Sequence, residues 1–417
     1  MNVSGVITEY NPFHNGHKYQ LDRIRQLTGA DHILCVMSGN FVQRGSAALL
    51  DKYTRTRMAL QEGADLVIEL PLVYATASAE LFAQGGVLLL DQCGIVSSIC
   101  FGAECPDPTA LNRLAAVITE ETPFYKEALA SGLQKGLSFP RAREEACLAA
   151  SGLPAEDVHK LLCGSNNILA LEYLKALQRS RSDLQPILIP RVGAAYQDTR
   201  LSADGFSSAS AIRDFLENPP ASGDFALLQE ALPAASYSLL LEAVEKGNPV
   251  FDSSMDQILG FRLLQYLSEE ERAAIADLPS DLLHRMEKQL ERYHGFESFC
   301  DLIKTKAYTR ASIKRALLHL LLDIRQSELD FARSHPVPYI RVLGFRRNSQ
   351  NLVSDLKTHA SVPLILNPAS DSRTLCKEAL SFLQKDFFAT RLYDQLRRQN
   401  GGEGLKNDLA QPLVIIE

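Results

Sequence analysis

The chain has 417 residues, of which 46% are hydrophobic and 22% are charged, and its formal net charge is −7. This length suffices for two or three domains with their own cores, and no apolar run is long enough to cross a bilayer. The first residues lack the basic flank and long apolar segment of a secretion signal. We therefore expect a cytoplasmic protein with neither a membrane nor DNA as a partner, and the oligomeric state stays open.

The cysteine pattern indicates reduced thiols rather than a disulfide framework. None of the eight cysteines forms a CxxC pair, and the spacing of Cys93, Cys100 and Cys105 fits no zinc pattern. We expect no metal ligands among them.

Apolar runs alternate with helix-like stretches through the first half of the chain. Strands are predicted at residues 3–8, 32–37, 65–70, 98–102 and 186–189. Helices are predicted at residues 18–27, 54–62 and 78–91. This alternation indicates a Rossmann-like parallel sheet with helices on both faces. Ligands of such sheets bind beyond the carboxyl ends of the strands.

The rest of the chain is mainly helix-patterned. Residues 106 to 177 are predicted to be helical, with breaks at Pro123, Pro140 and Pro154. The pair Pro219-Pro220 marks a domain boundary, and helical spacing continues over residues 225–335. A small α/β segment is predicted at about 337–390, before a final strand at 412–416. We therefore predict one domain over residues 1–218 and a mainly helical region over 219–417.

Two histidines, His14 and His17, lie in the turn between the first predicted strand and the first predicted helix. Backbone N–H groups and the helix dipole make such a turn a natural phosphate site. Gly16 allows the backbone to approach a ligand closely. The imidazoles can then donate hydrogen bonds to phosphate oxygens as negative charge builds on them.

This HxGH segment, GVITEYNPFHNGH at residues 5–17, resembles the opening of the HxGH nucleotidyltransferase superfamily and, more narrowly, the bacterial tRNA(Met) cytidine acetate ligase family. Further segments that resemble this family in order are SGNFVQRG at 38–45, FGAE at 101–104, NNILALEY at 166–173, FSSASAIR at 206–213 and RVLGF at 341–345. The resemblance covers nearly the whole chain. It implies an ATP-binding domain over residues 1–218 and a tRNA-binding region over 219–417.

The resemblance implies a reaction in two stages. Acetate attacks the α-phosphate of ATP, pyrophosphate leaves, and acetyl-adenylate forms. The wobble cytidine of elongator tRNA(Met) then takes the acetyl group and AMP is released. Magnesium is expected with the triphosphate, although no carboxylate ligand is evident in the sequence.

The expected catalytic residues are His14 and His17, which steady the α-phosphate, and Lys18, a phosphate cation. Lys52 and Arg44 are further candidate cations. The residues expected to bind ATP are Ile7, Thr8, Glu9, Tyr10, Asn11, Pro12, Phe13, His14, Asn15, Gly16, His17, Lys18, Tyr19, Gln20, Gly102, Asn166, Arg191, Ser207, Ser208 and Arg213.

Several of these residues have a stated physical role. Ser207 and Ser208 resemble the superfamily's helix start that caps a helix and offers N–H groups to the β- and γ-phosphates, with Arg213 reaching the same anion. Gly102 lets the nucleotide ring approach the backbone. Asn166 either reads the adenine or ribose edge or simply caps a helix.

A basic zone at residues 304–347 carries ten Lys or Arg residues against three acidic ones. The candidate RNA contacts in it are Lys304, Lys306, Arg310, Lys314 and Arg315. The alternative is a solvated helix face without a ligand.

The residues alone leave two other functions open. One is a nucleotidyltransferase that acts on a small phosphorylated acceptor, and the other is a non-catalytic RNA-binding scaffold.

Overall fold

The computed structural model describes residues 1–105, 107–191, 201, 206–219, 225–265 and 268–417. Within this part the chain builds one eight-stranded sheet and a separate two-stranded hairpin. The strands are β1 (Val3–Thr8), β2 (His32–Ser38), β3 (Phe41–Val42), β4 (Ser46–Ala47), β5 (Leu66–Leu70), β6 (Ser98–Ala103), β7 (Gln185–Pro190), β8 (Ile340–Arg346), β9 (Leu364–Ile365) and β10 (Val414–Ile416). The hairpin is formed by β3 and β4.

The large sheet has the order β10-β8-β5-β2-β1-β6-β7, and β9 pairs with β8. The five strands from the first half of the chain are parallel, as the alternation of strands and helices predicts. Their carboxyl ends, at Thr8, Ser38, Leu70, Ala103 and Pro190, therefore meet at one edge of the sheet. Most of their residues are buried, as expected for a sheet covered on both faces.

The helices of the first half alternate with these strands, and several of them pack directly against the parallel part of the sheet. They are α1 (Asn15–Thr28), α2 (Lys52–Gln61), α3 (Leu72–Ala75), α4 (Ala79–Gln92), α5 (Pro108–Glu120), α6 (Pro123–Gln134), α7 (Phe139–Ser151), α8 (Ala155–Cys163), α9 (Ser165–Ser180) and α10 (Ala209–Glu217). The predicted breaks are confirmed: Pro123 and Pro140 lie in the first turns of α6 and α7, and Pro154 is the N-cap of α8. Proline suits these positions because a first-turn N–H has no acceptor within the helix.

The second half is mainly helical, as predicted. Its helices are α11 (Ala226–Ala231), α12 (Ala234–Glu245), α13 (Asp256–Leu264), α14 (Glu269–Ala273), α15 (Ser280–Gln289), α16 (Phe296–Ile303), α17 (Arg310–Leu322), α18 (Gln326–Ser334), α19 (Gln350–His359), α20 (Pro368–Asp371) and α21 (Lys377–Gln399). Short 3-10 helices span Asp252–Met255, Leu290–Arg292, Arg347–Ser349 and Ser372–Thr374. Pro220, half of the predicted boundary pair, lies outside the described residues. Among the described residues, no helix is both long and apolar enough to cross a bilayer.

The C-terminal strands differ from the small α/β segment expected at about 337–390. Strand β8 pairs antiparallel with β5, and β10 pairs with β8, so both strands extend the sheet of the first half. The physical reason is that β5 would otherwise leave an apolar edge with unpaired backbone groups. One apolar core accordingly contains residues from both halves, including Ile68, Val342 and Phe382. The division at residue 218 stays a prediction.

A buried cluster of four charged side chains, on α2, β5, β8 and the segment after α21, joins the two halves of the chain. The Lys52 ammonium lies 2.8 Å from Glu69 and 3.2 Å from Asp408. The Arg341 guanidinium lies 2.9 Å from the same glutamate and 3.1 Å from the same aspartate. Burial alone would raise the pKa of Asp408, but the two cations hold it below its ordinary range. The structure therefore contradicts the assignment of Lys52 as a phosphate cation, because its ammonium is used inside the fold.

Replacing Lys52 by Met should destabilise the protein strongly. The substitution leaves a surplus negative charge in a buried site, which costs about 3–5 kcal/mol of unfolding free energy. Urea denaturation of the variant measures this loss. The matched control is Lys160→Met, which breaks an exposed ion pair with Glu156 and should leave the denaturation midpoint unchanged. Equal midpoints for both variants would contradict a stabilising role for the cluster.

Candidate functional site

A cavity opens at the edge of the sheet where the parallel strands end. Its wall combines the loop after β1, the β3–β4 hairpin, the end of β6, the first turn of α9 and the start of α10. Of the twenty residues predicted to bind ATP, sixteen line this cavity. The four outside the wall are Pro12, Phe13, Asn15 and Lys18. The cavity is therefore the candidate nucleotide site.

The two histidines form the turn that starts α1. His14 is the N-cap of this helix, and its Nδ1 accepts a hydrogen bond from the Gly16 amide at 3.0 Å. The Nδ1 of His17 accepts one from the backbone amide of His14 at 3.3 Å. The ring centroids are 3.8 Å apart. Glycine is required at position 16 because a Cβ there would lie 2.8 Å from the His14 ring.

These hydrogen bonds determine the tautomer of both rings. A ring nitrogen that accepts a hydrogen bond carries no proton, so in a neutral imidazole the proton sits on the other nitrogen. Nε2 of His14 and Nε2 of His17 are therefore N–H donors. Both histidines line the cavity, so each can donate to an anion bound there.

The environment of the rings keeps them neutral. Burial, followed by the positive charges of Arg191 and Arg213, lowers the pKa of His14 to about 3. Burial, followed by His14 and Arg191, lowers the pKa of His17 well below its ordinary value. Tyr10 packs against the His17 ring at a centroid distance of 4.9 Å and contributes to this exclusion of water. The pair consists of neutral hydrogen-bond donors in an electropositive site.

Helix α10 brings a second helix N-terminus to the cavity. Ser208 is its N-cap, and its hydroxyl accepts a hydrogen bond from the Ala211 amide at 3.0 Å. Arg213 donates to the Asn11 carbonyl at 2.7 Å, which ties the helix to the histidine loop. Together with the dipoles of α1 and α10, Arg213 gives this side of the cavity a positive potential suited to phosphates.

The opposite wall contains Gly102, Asn166 and Arg191. A Cβ at Gly102 would meet no protein atom closer than 3.5 Å, so packing does not require glycine there and a ligand can approach. The side-chain amide of Asn166 donates to Glu104 at 2.5 Å. The same carboxylate accepts the backbone amides of Asn166 and Asn167 and so caps α9. The structure therefore contradicts the helix-cap interpretation of Asn166, because Glu104 caps α9 instead, and its contact with the adenine or ribose edge stays a prediction.

The four predicted residues outside the cavity wall have other contacts. The Lys18 ammonium lies 2.5 Å from Asp22, one turn further along α1. The Asn15 side chain donates to the Glu230 carbonyl at 2.6 Å, while Pro12 and Phe13 are buried. A catalytic role for Lys18 stays a prediction that requires its ammonium to leave Asp22.

Arg55, which the sequence pattern does not single out, organises the loops beside the cavity. It is fully buried and donates to the carbonyls of Glu9 at 2.6 Å, Leu50 at 2.9 Å and Ser38 at 3.1 Å, and also to that of Gly39. A buried guanidinium requires such partners, so it holds the loops after β1 and β2 in one arrangement. In the sequence, Arg55 has the spacing of any solvent-exposed arginine in a helix, so the pattern alone does not identify its role.

The β3–β4 hairpin adds Gln43 and Arg44 to the wall. The backbone amide of Gln43 donates a hydrogen bond to the Glu9 carboxylate at 2.9 Å. At the tip, Gly45 has φ +76°, and a Cβ there would lie 2.5 Å from backbone atoms of α17. The hairpin therefore packs directly between the cavity and the helical region.

Comparison with known proteins agrees with this geometry. Residues 1–407 match a family model described as HIGH Nucleotidyl Transferase. A protein of Acetivibrio thermocellus named tRNA(Met) cytidine acetate ligase is 36% identical over 419 residues, with both chains fully covered. One of the same name from Clostridium tetani is 38% identical, with 96% of each chain covered. The chain belongs to the tRNA(Met) cytidine acetate ligase family.

Solved structures related to this family superpose closely on the chain. The crystal structure of Thermotoga maritima TmcAL in its apo form I has a TM-score of 0.92 and 32% sequence identity. Its form II, bound with alpha-thio ATP, has a TM-score of 0.90 and 31% identity. Both comparisons cover the whole of each chain. The α/β nucleotidyltransferase fold expected from the HxGH resemblance is confirmed.

Two of the five basic residues predicted to contact RNA are used inside the fold in this family member. The Lys314 ammonium lies 2.5 Å from Asp252 and 2.7 Å from Glu297, and its side chain is only 14% exposed. The Arg315 guanidinium faces Asp277 at 3.6 Å and is similarly buried. Their helical spacing suggests a basic surface, but both side chains face inward. The structure thus places these two charges away from a solvent-facing RNA surface.

The other three basic residues are exposed. Arg310 forms ion pairs with Glu297 and Asp301, whereas neither Lys304 nor Lys306 forms an ion pair with a described residue. These two lysines lie in the segment that connects α16 to α17. They are the members of the predicted RNA set whose charge is most accessible.

The neutral histidines predict a pH dependence of stability. An unfolded His14 has a pKa near 6.5 and the folded one about 3, so between these values only the unfolded chain binds the proton. Stability therefore falls as the pH drops below 6.5, by up to about 1.4 kcal/mol per pH unit for each such histidine. His14→Gln should reduce the slope of unfolding free energy against pH between pH 6 and 4.5, measured by urea titration. An exposed control, His294→Gln, should retain the wild-type slope, and an unchanged slope in His14→Gln would contradict the buried neutral ring.

Proposed function

We propose that this protein is an ATP-dependent ligase that activates acetate as acetyl-adenylate and then acetylates the wobble cytidine of elongator tRNA(Met). The observation that carries the proposal is the pair of neutral imidazoles, held by the first turn of α1 with both Nε2–H groups available to one anion. The names of its full-length relatives support the choice of acetate and tRNA(Met). The alpha-thio ATP bound by a structural relative supports ATP.

In the first stage, an acetate oxygen attacks the α-phosphorus and pyrophosphate leaves. Negative charge builds on the α-phosphate oxygens, where the Nε2–H groups of His14 and His17 donate hydrogen bonds. Arg213 and the first turn of α10 bind the departing β- and γ-phosphates. The chemistry requires positioning and charge stabilisation rather than a protein nucleophile.

In the second stage, the exocyclic amine of the cytidine attacks the acetyl carbonyl carbon and AMP leaves. A base edge can reach this cavity only from an unstacked nucleotide, as in an anticodon loop. The mixed anhydride must be shielded from water until the base arrives. The hairpin between the cavity and α17 supplies a wall at the side where the helical region begins.

Magnesium fits this site as an ion carried by the triphosphate. Among the described residues, no group of three or more His, Cys, Asp or Glu side chains is arranged to hold a metal. A hydrated Mg²⁺ is commonly held mainly by substrate phosphates, and bound there it neutralises their charge. We propose a cytoplasmic location, where ATP and tRNA are both found.

The direct test is mass spectrometry of tRNA nucleosides after incubation with the protein, ATP and labelled acetate. The expected product is one labelled N4-acetylcytidine per tRNA(Met). Pyrophosphate release that depends on a small phosphorylated acceptor instead of acetate would favour the nucleotidyltransferase alternative. Absence of any ATP turnover, with tRNA binding retained, would favour the scaffold alternative.

His17→Ala should reduce acetyl-adenylate formation by about 10²–10³-fold, because it removes a donor aimed at developing charge. Binding of tRNA should be retained. Acetate-dependent exchange of labelled pyrophosphate into ATP measures the first property, and filter binding of labelled tRNA measures the second. His294→Ala is the control for histidine removal at an exposed position, and wild-type exchange in His17→Ala would contradict the assignment.

Lys304→Glu combined with Lys306→Glu should weaken tRNA binding and leave acetate-dependent exchange intact. Loss of two phosphate contacts reduces the slope of log affinity against log salt by up to about 1.4–1.8. The control pair is Lys126→Glu with Lys135→Glu, which changes the net charge equally at two exposed positions, one in α6 and one directly after it. If both pairs affect tRNA binding equally, the segment between α16 and α17 is not part of the RNA site.

A further inference from the structure

The cavity contains a single acidic side chain among the described residues of its wall, and that residue is Glu9. The other charged groups of the wall are the guanidinium groups of Arg44, Arg191 and Arg213. A carboxylate repels the phosphate groups of ATP and an acetate ion, so binding of these anionic groups does not explain its presence, although Glu9 belongs to the segment predicted to bind ATP. The remaining reactant of the proposed function is the target cytidine, whose amino group a carboxylate can bind.

Glu9 is held in place from two directions. Its carboxylate oxygen Oε1 accepts the backbone amide of Gln43 at 2.9 Å. Its carbonyl oxygen accepts a hydrogen bond from the buried Arg55 at 2.6 Å. Gln43 is itself anchored by its side chain to the Ala77 carbonyl at 3.4 Å. One oxygen of the carboxylate is thus fixed by the hairpin, and the residue directly precedes the loop that carries the histidines.

The surroundings of Glu9 suit a nucleobase. Phe82, Phe101 and Tyr173 line the same cavity, and the rings of Phe101 and Tyr173 pack at a centroid distance of 5.3 Å. Burial raises the pKa of Tyr173, and the nearby charge of Glu9 raises it further. The carboxylate therefore lies beside an aromatic wall, and unstacked bases bind proteins by stacking on such side chains. Arg191 and Arg213, in contrast, act on the His14 ring.

The second stage of the reaction requires an acceptor for a proton. The amine nitrogen becomes positively charged as it bonds to the carbonyl carbon, and it must lose a proton to give the neutral amide. His14 and His17 cannot take this proton, because each Nδ1 is occupied by a backbone amide and each Nε2 already carries hydrogen. A carboxylate oxygen is also the usual acceptor for the N4 amino group of cytosine.

We infer that Glu9 accepts a hydrogen bond from the exocyclic amine of the target cytidine and takes its proton during acetyl transfer. This inference rests on the proposed function. The N4–carbon bond forms, the bond between the carbonyl carbon and the AMP oxygen breaks, and AMP leaves with that electron pair. One N4 proton passes to the Glu9 carboxylate, which returns it to solvent.

The test separates the two half-reactions in Glu9→Gln. The amide keeps the acceptor oxygen for the Gln43 N–H but cannot take a proton. Acetate-dependent pyrophosphate exchange should fall far less than acetyl transfer does, and the exchange that remains shows that the variant folds and binds ATP. Transfer of the acetyl group from preformed acetyl-adenylate to tRNA(Met), measured in a single turnover, should fall by about 10²–10⁴-fold. Glu9→Asp, which restores a carboxylate one methylene shorter, should recover part of the transfer rate.

Three results would overturn the inference. Transfer at the wild-type rate in Glu9→Gln excludes proton transfer to this side chain. An equal fall in exchange and transfer assigns Glu9 to the ATP site, and a raised magnesium requirement for exchange assigns it to the metal. Failure of acetate-dependent exchange in the wild-type protein is a different outcome, because it rejects the proposed function and this inference with it.

Discussion

The reciprocal hydrogen bonds between two imidazoles and the first turn of α1 are the constraint on which the site depends. The Nδ1 atom of each ring accepts a hydrogen bond from a backbone amide, and this fixes the orientation and the tautomer of both rings. Burial then removes water and lowers the pKa of both histidines, so that neutral Nε2–H donors face the cavity. Arg191 and Arg213 supply the positive charge of the site. In the proposed mechanism the neutral histidines donate hydrogen bonds to the reacting phosphate, and the arginines provide positive charge around it.

The site is not a property of the first half of the chain alone. Arg55 fixes the loops after β1 and β2, and the hairpin that reaches Glu9 rests on α17 in the helical region. Strand β8 covers the β5 edge, and the buried ion cluster ties it to α2. Residues far apart in sequence therefore hold the strand ends that form the cavity. The helical region is therefore connected to the loop that carries the histidines through direct contacts.

Much of the fold follows from local sequence patterns. The predictions that the structure contradicts have a common cause. The strand at residues 3–8 and the proline breaks were predictable because apolar runs and helix starts are local signals. Helix α1 begins at Asn15 rather than at 18, because His14 caps it with its own side chain. The ion pairs that Lys52 and Lys314 form inside the fold were not predictable from the sequence. Their partners, Asp408 and Asp252, lie 356 and 62 positions away in sequence, and spacing along a helix contains no information about them.

The central claim is that both imidazoles hold the innermost phosphate of ATP through their Nε2 atoms. A crystal structure of the protein with a non-hydrolysable ATP analogue and magnesium tests it most directly. The account predicts that an α-phosphate oxygen lies within about 3.2 Å of each Nε2, with both Nδ1 atoms still bound to their backbone amides. An α-phosphate beyond hydrogen-bond distance of both rings, or rings turned so that Nδ1 faces the nucleotide, would contradict it.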